Sequence, residues 1–433
     1  MKSAIATLRS GPLAVRGLRL LAGGQFASTI GDSCYAVALP WLVLSNHGSA
    51  VLLGIVLACY GVPRTVLIPV GGVFADRMGP RRLMLTADSA RCVLVVVLAV
   101  LAARHTASLA TLGPTAALIG AGEGLFLPAS FAIMPTLVDG EQLAAGNAIS
   151  SAAVQVGSLI GPAIGGALVA ATGASTAAFA IDAASFAISA ASLALIPGRK
   201  APVSEPKGRP EAPRRRASGK KERASEEKER ESEIRSVFLQ SRALQVALVV
   251  VIAANLAGGG MGEVALPSLA HAKYGAAGYG ALLACIAAGA VAGTLAAART
   301  GGLRTPAVFA SGVFLLEATA MCLVPYLGGE AGAAVALLVM GACNGLGNTV
   351  FLTVAQRQVP SAVLGRVMGV IMLCAFGSFP LSVAITGVLV RHIGPTPFFP
   401  IAGGLLAIAI LGGLTQRDFQ RFGAVEPQPV MTS

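Results

Sequence analysis

Apolar runs of twenty or more residues, separated by short polar breaks, recur along the whole chain, with one long polar interruption near its middle. At about 1.5 Å of rise per residue, roughly twenty apolar residues in a helix cross the ~30 Å hydrocarbon core of a bilayer. The pattern predicts twelve spans, over about 18–45, 51–75, 82–103, 108–135, 145–172, 175–196, 242–269, 276–298, 305–327, 331–355, 362–390 and 396–415. Backbone polar groups in lipid must be bonded internally, which leaves helices or a closed barrel. The chain has none of the alternating ten-residue segments a barrel needs. The expected fold class is an all-α membrane protein.

The interruption, 197–241, is rich in Pro, Arg, Lys, Glu and Ser and too polar to bury a core. It separates six spans from six. The expected organisation is a six-helix bundle over 1–196, a charged linker over 197–241, a second six-helix bundle over 242–415 and a tail over 416–433. The linker reads either as a tether or as a basic stripe against anionic headgroups, and the run ending at Ser218 offers a phosphate acceptor. A faint repeat relates the halves. "GEGLFLPASFAIMPTLV" (122–138) and "GLGNTVFLTVAQRQVP" (345–360) share a small-residue start, an aromatic, a polar stretch and a late proline. Repeats of this kind place a substrate cavity between two bundles near the bilayer midplane.

Composition agrees. Of 433 residues, 55% are hydrophobic and 12% charged, with a mean hydropathy of +0.75. Soluble domains carry about twice that charge. The net charge of +12 would suggest nucleic acid in a soluble protein, but its distribution does not. Of 32 Lys and Arg, only Arg104, Lys273 and Arg391 fall in odd-numbered gaps, and only Arg64 and Arg91 fall deep inside spans, the rest lying at cytoplasmic span ends or beyond them. By the positive-inside rule both termini and the even-numbered gaps are cytoplasmic. The N-terminal start, with Lys2, Arg9, Arg16 and Arg19, lacks a cleavable signal pattern. A multi-pass protein of the cell membrane is expected, in contact with the lipid bilayer, with no nucleic-acid partner and as a monomer.

Enzyme chemistry finds little support. There is no phosphate loop, and the four histidines (His47, His105, His271, His392) lie near span ends. The seven cysteines sit in apolar stretches without metal spacing, as small buried hydrophobes do. No cofactor and no metal are expected.

Ionisable groups at depth are costly and therefore candidates for function. By position in the spans, Asp32, Arg64, Glu123 and Glu317 fall near the midplane, Arg91 slightly and Asp88 more strongly toward the cytoplasm, and Asp182 and Glu263 toward the outer face. Proton coupling needs an acid that binds and releases a proton between two states. Asp32 and Glu123 are the candidates, with Arg64 and Arg91 as tuning cations; static ion pairs that orient helices are the competing reading. Asp88 and Arg91, three residues apart, share a helix face.

Two stretches carry motifs. "GGVFADRMGPRR" (71–82) gathers Asp76, Arg77, Arg81 and Arg82 between spans two and three, with glycines suited to a tight turn. "GSLIGPAIGG" in span five sets Gly157, Gly161 and Gly165 on one helix face, where a neighbouring helix can approach closely, and Pro162 bends the helix.

These residues resemble the major facilitator superfamily. Gly72, Asp76, Arg77, Gly79, Arg81 and Arg82 match its G-x-x-x-D-R-x-G-x-R-R loop, with Pro80 where many members carry another basic residue. Gly157, Gly161, Pro162, Gly165 and Gly166 fill its G-x-x-x-G-P-x-x-G-G antiporter signature, which is commoner in exporters. "GDSCYAVALPWLVLS" and "LPASFAIMPTLV" are similar to the bacterial drug, macrolide and siderophore exporter branch. The resemblance implies twelve helices in two pseudo-symmetric bundles and alternating access. It implies a cytoplasmic latch between Asp76 and the start of span eleven, where Arg366 lies. The second-half copy, "GTLAAARTGGLR", keeps Gly293, Arg299 and Arg304 but no acid. The arginine usual in span four of proton antiporters is missing, since Leu118 and Ala121 stand in its R-x-x-Q-G pattern.

Spans one, two, four and seven would line the cavity by the same resemblance. Tyr35, Trp41, Tyr60, Phe126, Asn255, Asn344 and Asn348 offer aromatic and amide surfaces, and Glu317 an acid for a cationic cargo. An apolar cavity with few polar groups suits amphipathic compounds. The expected function is export of small hydrophobic or amphipathic compounds by proton antiport. An uptake permease of the same fold, or a non-transporting receptor or scaffold, are the alternatives.

Overall fold

A computed structural model describes residues 14–47, 49–138, 142–196, 242–300, 303–358 and 361–422. Among them, twelve helices are long and apolar enough to cross a membrane. In the first half they are α1 (Arg16–His47), α2 (Ala50–Met78), α3 (Pro80–Ala103), α4 (Leu109–Ala132), α5 (Leu143–Thr172) and α6 (Thr176–Leu195). In the second they are α7 (Arg242–Lys273), α8 (Gly275–Ala297), α9 (Pro306–Leu323), α10 (Gly329–Gln358), α11 (Ser361–Gly377 and Phe379–Ile393) and α12 (Pro395–Leu414). The linker expected over 197–241 lies outside the described residues. The second bundle runs past the expected 415: a short helix, Arg417–Gln420, buries Phe419 and Phe422 against α7, α9 and α12.

Helix boundaries follow local chemistry. Ser49 caps α2, its hydroxyl accepting from the Leu52 amide at 3.2 Å. Between α2 and α3 the loop expected between 75 and 82 shrinks to one residue. Gly79, at φ +84°, ends one helix and starts the next, and Pro80 opens the new first turn. Asp76 and Arg77 therefore close α2, while Arg81 and Arg82 begin α3.

We call the membrane side bearing this turn the linker end. The two bundles meet along α5 with α8 and α2 with α11, and glycines allow it at the far end. A Cβ on Gly166 would stand 2.7 Å from the Ala276 carbonyl oxygen, and one on Gly54 2.6 Å from the Val383 carbonyl oxygen. The Trp41 and His271 rings meet edge to face there, 4.7 Å apart. Among the described residues, no hydrogen bond or ion pair joins the bundles on the linker side of Thr65. Large exposed apolar side chains such as Val66, Phe131, Leu295 and Ile408 cover the outside. That suits a lipid solvent, where exposure of apolar surface costs nothing.

Candidate functional site

A cavity of about 180 Å³ lies between the bundles. Four carboxyls and two guanidiniums line it: Asp32, Glu123, Asp182 and Glu263 with Arg64 and Arg91. Tyr35, Tyr60, Phe186 and Phe379 also line it.

The first-half charges form two linked groups. Arg64 on α2 pairs with Glu123 on α4 at 3.0 Å, and the Tyr60 hydroxyl donates to the other Glu123 oxygen. The Arg64 guanidinium also lies 5.8 Å from the Tyr60 ring centre and 5.1 Å from that of Phe376, which belongs to α11 of the other bundle. Cation–π contacts of this kind contribute about 1 kcal/mol each. Glycines let α4 come this close: Gly120 packs on the Tyr60 backbone and Gly124 on that of Arg64.

Arg91 anchors the second group. It sits between the rings of Phe126 and Phe186, 4.7 and 4.4 Å from their centres. It bonds the fully buried Asp88 at 2.5 Å and reaches Asp32 at 4.0 Å. Ser189 on α6 donates to the second Asp88 oxygen at 2.6 Å. Asp88 is thereby satisfied, whereas the Asp32 side chain stays 51% exposed to the cavity. Asp182, on α6, is fully buried and neither of its carboxyl oxygens has a hydrogen-bond partner. The neighbouring Ser185 hydroxyl instead donates to the Asp182 main-chain carbonyl at 2.7 Å. An unpartnered buried carboxyl is costly, so its retention points to use.

Glu263 reaches the cavity through a defect in α7. The Ser382 hydroxyl of α11 inserts between turns, donating to the Leu256 carbonyl at 2.6 Å and accepting from the Gly260 amide at 2.7 Å. The helix widens into a π turn over Met261–Ala265, which carries Glu263. A related exchange holds α11 to α2. Pro380 has no amide hydrogen to offer the Phe376 carbonyl four residues earlier, and the Thr65 hydroxyl takes that place at 3.1 Å.

Other expected residues lie elsewhere. Asp182 and Glu263, expected toward the outer face, line the same cavity as Asp32. Asn255 is spent inside α7, donating to the Val251 carbonyl at 2.9 Å. Glu317, Asn344 and Asn348 do not line the cavity around Asp32; they form a separate ladder on α9 and α10. The glycine signature serves two partners. Gly157, Gly161 and Gly165 face Thr29, Ser33 and Cys34 of α1, while Gly166 and the Pro162 carbonyl face Gly280 of α8.

In the loop motif, Asp76, Arg77 and Arg82 are exposed, and Gly72 has open space around it. Arg81 turns inward to α6, donating to the Leu193 carbonyl at 2.7 Å and the Ala194 carbonyl at 2.6 Å. It caps a helix C-terminus within its own bundle, where a cation is favoured. The side chain of Arg366 lies outside the described residues.

Known proteins give the arrangement a context. A multidrug efflux pump, Tap, of Mycolicibacterium fortuitum is 29% identical over 162 residues, which is 36% of this chain and 39% of that protein. A putative multidrug resistance protein, MdtD, of Citrobacter koseri is 29% identical over 152 residues, 35% of this chain and 31% of that protein. These alignments span well under half of either relative. Among solved structures, a POT family transporter in complex with a thioalcohol-conjugated peptide superposes with a TM-score of 0.68 at 16% identity, covering 92% of this chain and 96% of that one. A D-xylose–proton symporter superposes with a TM-score of 0.66 at 15% identity, covering 92% and 95%. Both share the fold. The sequence model of the Major Facilitator Superfamily matches residues 21–383, most of the chain, and this protein is a member of that superfamily.

Proposed function

We propose that this transporter exports small amphipathic organic compounds from the cytoplasm of its cell, exchanging them for protons. The observation that carries the reading is the state of Asp32. It is half exposed to the cavity and its nearest cation, Arg91, is already committed to Asp88. A carboxyl in that position can hold a proton or face a cargo, and the two compete. The positive-inside distribution assigns the linker end to the cytoplasm. With the far end closed by the α5–α8 and α2–α11 contacts, the cavity awaits cargo from the cytoplasmic side. Rocking of one bundle against the other would then present Asp32 to the outside, where a proton displaces the cargo.

The rest of the lining supports this reading. Tyr35, Tyr60, Phe186 and Phe379 supply flat apolar surface, and Glu263 of one bundle lines the cavity together with the Arg64–Glu123 pair of the other. The likeness to multidrug exporters favours outward transport of organic compounds. Asp76 and Arg366 are proposed as the latch that closes the linker end in the opposite state, and a single chain is the transporting unit.

The test is accumulation of ethidium and other fluorescent amphipathic cations in an efflux-deficient bacterium. Cells expressing the protein are compared with cells expressing Asp32→Asn, and with cells treated with a protonophore. Export predicts low accumulation that both treatments raise. Higher accumulation with the protein than without it would mean uptake and overturn the direction.

A further inference from the structure

Outside the central cavity, one buried acid among the described residues remains unused. Glu317, on α9, is 7% exposed, and its Oε2 has no hydrogen-bond partner. Its Oε1 accepts from the Asn344 amide nitrogen at 3.1 Å. Asn344 Oδ1 in turn accepts from the Asn348 amide nitrogen at 3.0 Å, one helical turn further along α10. Both asparagines are exposed. Two carboxamides against hydrocarbon would leave donors and acceptors unbonded at a cost, so this face of α10 borders water. The ladder thus joins a buried carboxyl to the aqueous side.

From this geometry we infer that Glu317 is a second proton-binding site, in the C-terminal bundle, loaded through Asn344 and Asn348. Three ligands were possible: a fixed cation of the protein, a metal ion or a proton. No described Lys, Arg or His pairs with Glu317. On the elements packed against α9, the ionisable neighbours are few. Cys343 lies beside Glu317 on α10, which also bears Glu330 at its far end and, at the opposite end, Arg357, whose side chain lies outside the described residues. Helix α12 has no ionisable side chain, and Arg417 and Asp418 of the terminal helix make no ion pair with Glu317. A metal ion would need about six oxygen donors, and one carboxyl with one already-bonded amide cannot supply them. A proton needs only the free Oε2. Because α9 and α10 belong to one bundle, the ladder survives when the bundles rock, while the water it touches changes sides. The site would therefore load and unload without breaking its own hydrogen bonds.

The use of this proton in transport rests on the antiport reading above, but its binding does not. The experiment is infrared difference spectroscopy of the full chain in lipid nanodiscs, acid minus alkaline, for wild type, Glu317→Gln, Asn344→Ala and Asp32→Asn. The protonated-carboxyl bands are the readout, and no cargo is needed. Loss of one band in Glu317→Gln, a shift of that same band in Asn344→Ala, and its retention in Asp32→Asn are expected. Superimposable wild-type and Glu317→Gln spectra would overturn the inference. Should Glu317→Gln fail to fold, a set of bands unmoved by Asn344→Ala would overturn it equally. Ethidium export by the same variants in cells separates the two ideas: loss of the antiport reading leaves the Glu317 band in place.

Discussion

Arg64 lies 3.0 Å from Glu123 within one bundle and stacks on Phe376 of the other, so a single guanidinium touches both moving bodies. An ion pair alone could be kept by lysine, but a flat guanidinium against a ring could not. Arg64→Lys should keep the chain folded and lower transport by roughly fivefold, the scale of about 1 kcal/mol lost with the stack. Arg64→Ala, which strands Glu123, should lose more. Initial export rates in everted vesicles, normalised to folded protein, check both.

The Asp88–Arg91 pair is buried, with Arg91 the centre of its group. Removing one partner of such a pair costs about 3–5 kcal/mol, because the other charge is left alone. Arg91→Ala should therefore lower the thermal unfolding midpoint in detergent strongly. The double variant Arg91→Ala with Asp88→Ala should lose less than the sum of the two single changes. Strict additivity would mean that the pair contributes nothing as a unit.

Arg81 donates to two carbonyls at the end of α6. Replacing it with alanine removes charge-assisted bonds together with a favourable helix-dipole contact, about 1–3 kcal/mol in all. The loss should appear in thermal stability. Asp76→Asn should do the reverse, leaving stability unchanged and slowing transport, because Asp76 is exposed and its proposed latch closes only in the other state. Equal transport by Asp76→Asn and wild type would remove Asp76 from the mechanism.

The glycine signature separates into two experiments. A Cβ at position 161 would meet Ser33 Cβ at 2.5 Å, within one bundle, so Gly161→Ala should destabilise the fold. A Cβ at 166 would meet the Ala276 carbonyl oxygen at 2.7 Å, across the bundles. Gly166→Ala should leave stability nearly intact and weaken closure of the far end. Ser268 lies in α7 beside Ser49 and His271 at that end, and thiol labelling of Ser268→Cys, in a chain whose own cysteines are replaced, should then be faster.

Ser382 holds open the α7 ladder that turns Glu263 into the cavity. Ser382→Ala should let the Leu256–Gly260 bond reform and carry Glu263 out of place. Transport should fall by about tenfold, the effect of about 1.4 kcal/mol, with little change in unfolding midpoint. A loss confined to stability would mean the π turn has no part in transport.

Much of the architecture was legible before any coordinates. The length and apolarity of each run fix a transmembrane helix, because lipid offers the backbone no other bonding partners. The antiporter signature and the loop motif are local, and both were readable at residue level. So was the 3-residue spacing that joins Asp88 to Arg91, since a helix brings such positions together wherever it lies. The loop between spans two and three is shorter than its charges suggest, because a charged residue need not end a helix once it has left the lipid: α2 continues to Met78 and α3 starts at Pro80.

The composition of the cavity was not legible in the same way. Depth counted along a span does not say which helices face one another, and it is the packing of α1, α6 and α7 that sets Asp182 and Glu263 in the same cavity as Asp32. Whether an asparagine faces water, its own helix or a carboxyl depends on how helices rotate against each other. Asn255 and Asn344 look alike in sequence and differ completely in partner. The sequence by itself determined the solvent, the number of spans and the charge asymmetry, because these follow from transfer of each segment into lipid. Only tertiary packing decided which acids share one cavity, which are paired and which stand alone. Those relations join residues far apart in the chain, and they are set by close glycine contacts, a proline without an amide hydrogen and a serine wedged into a neighbouring helix.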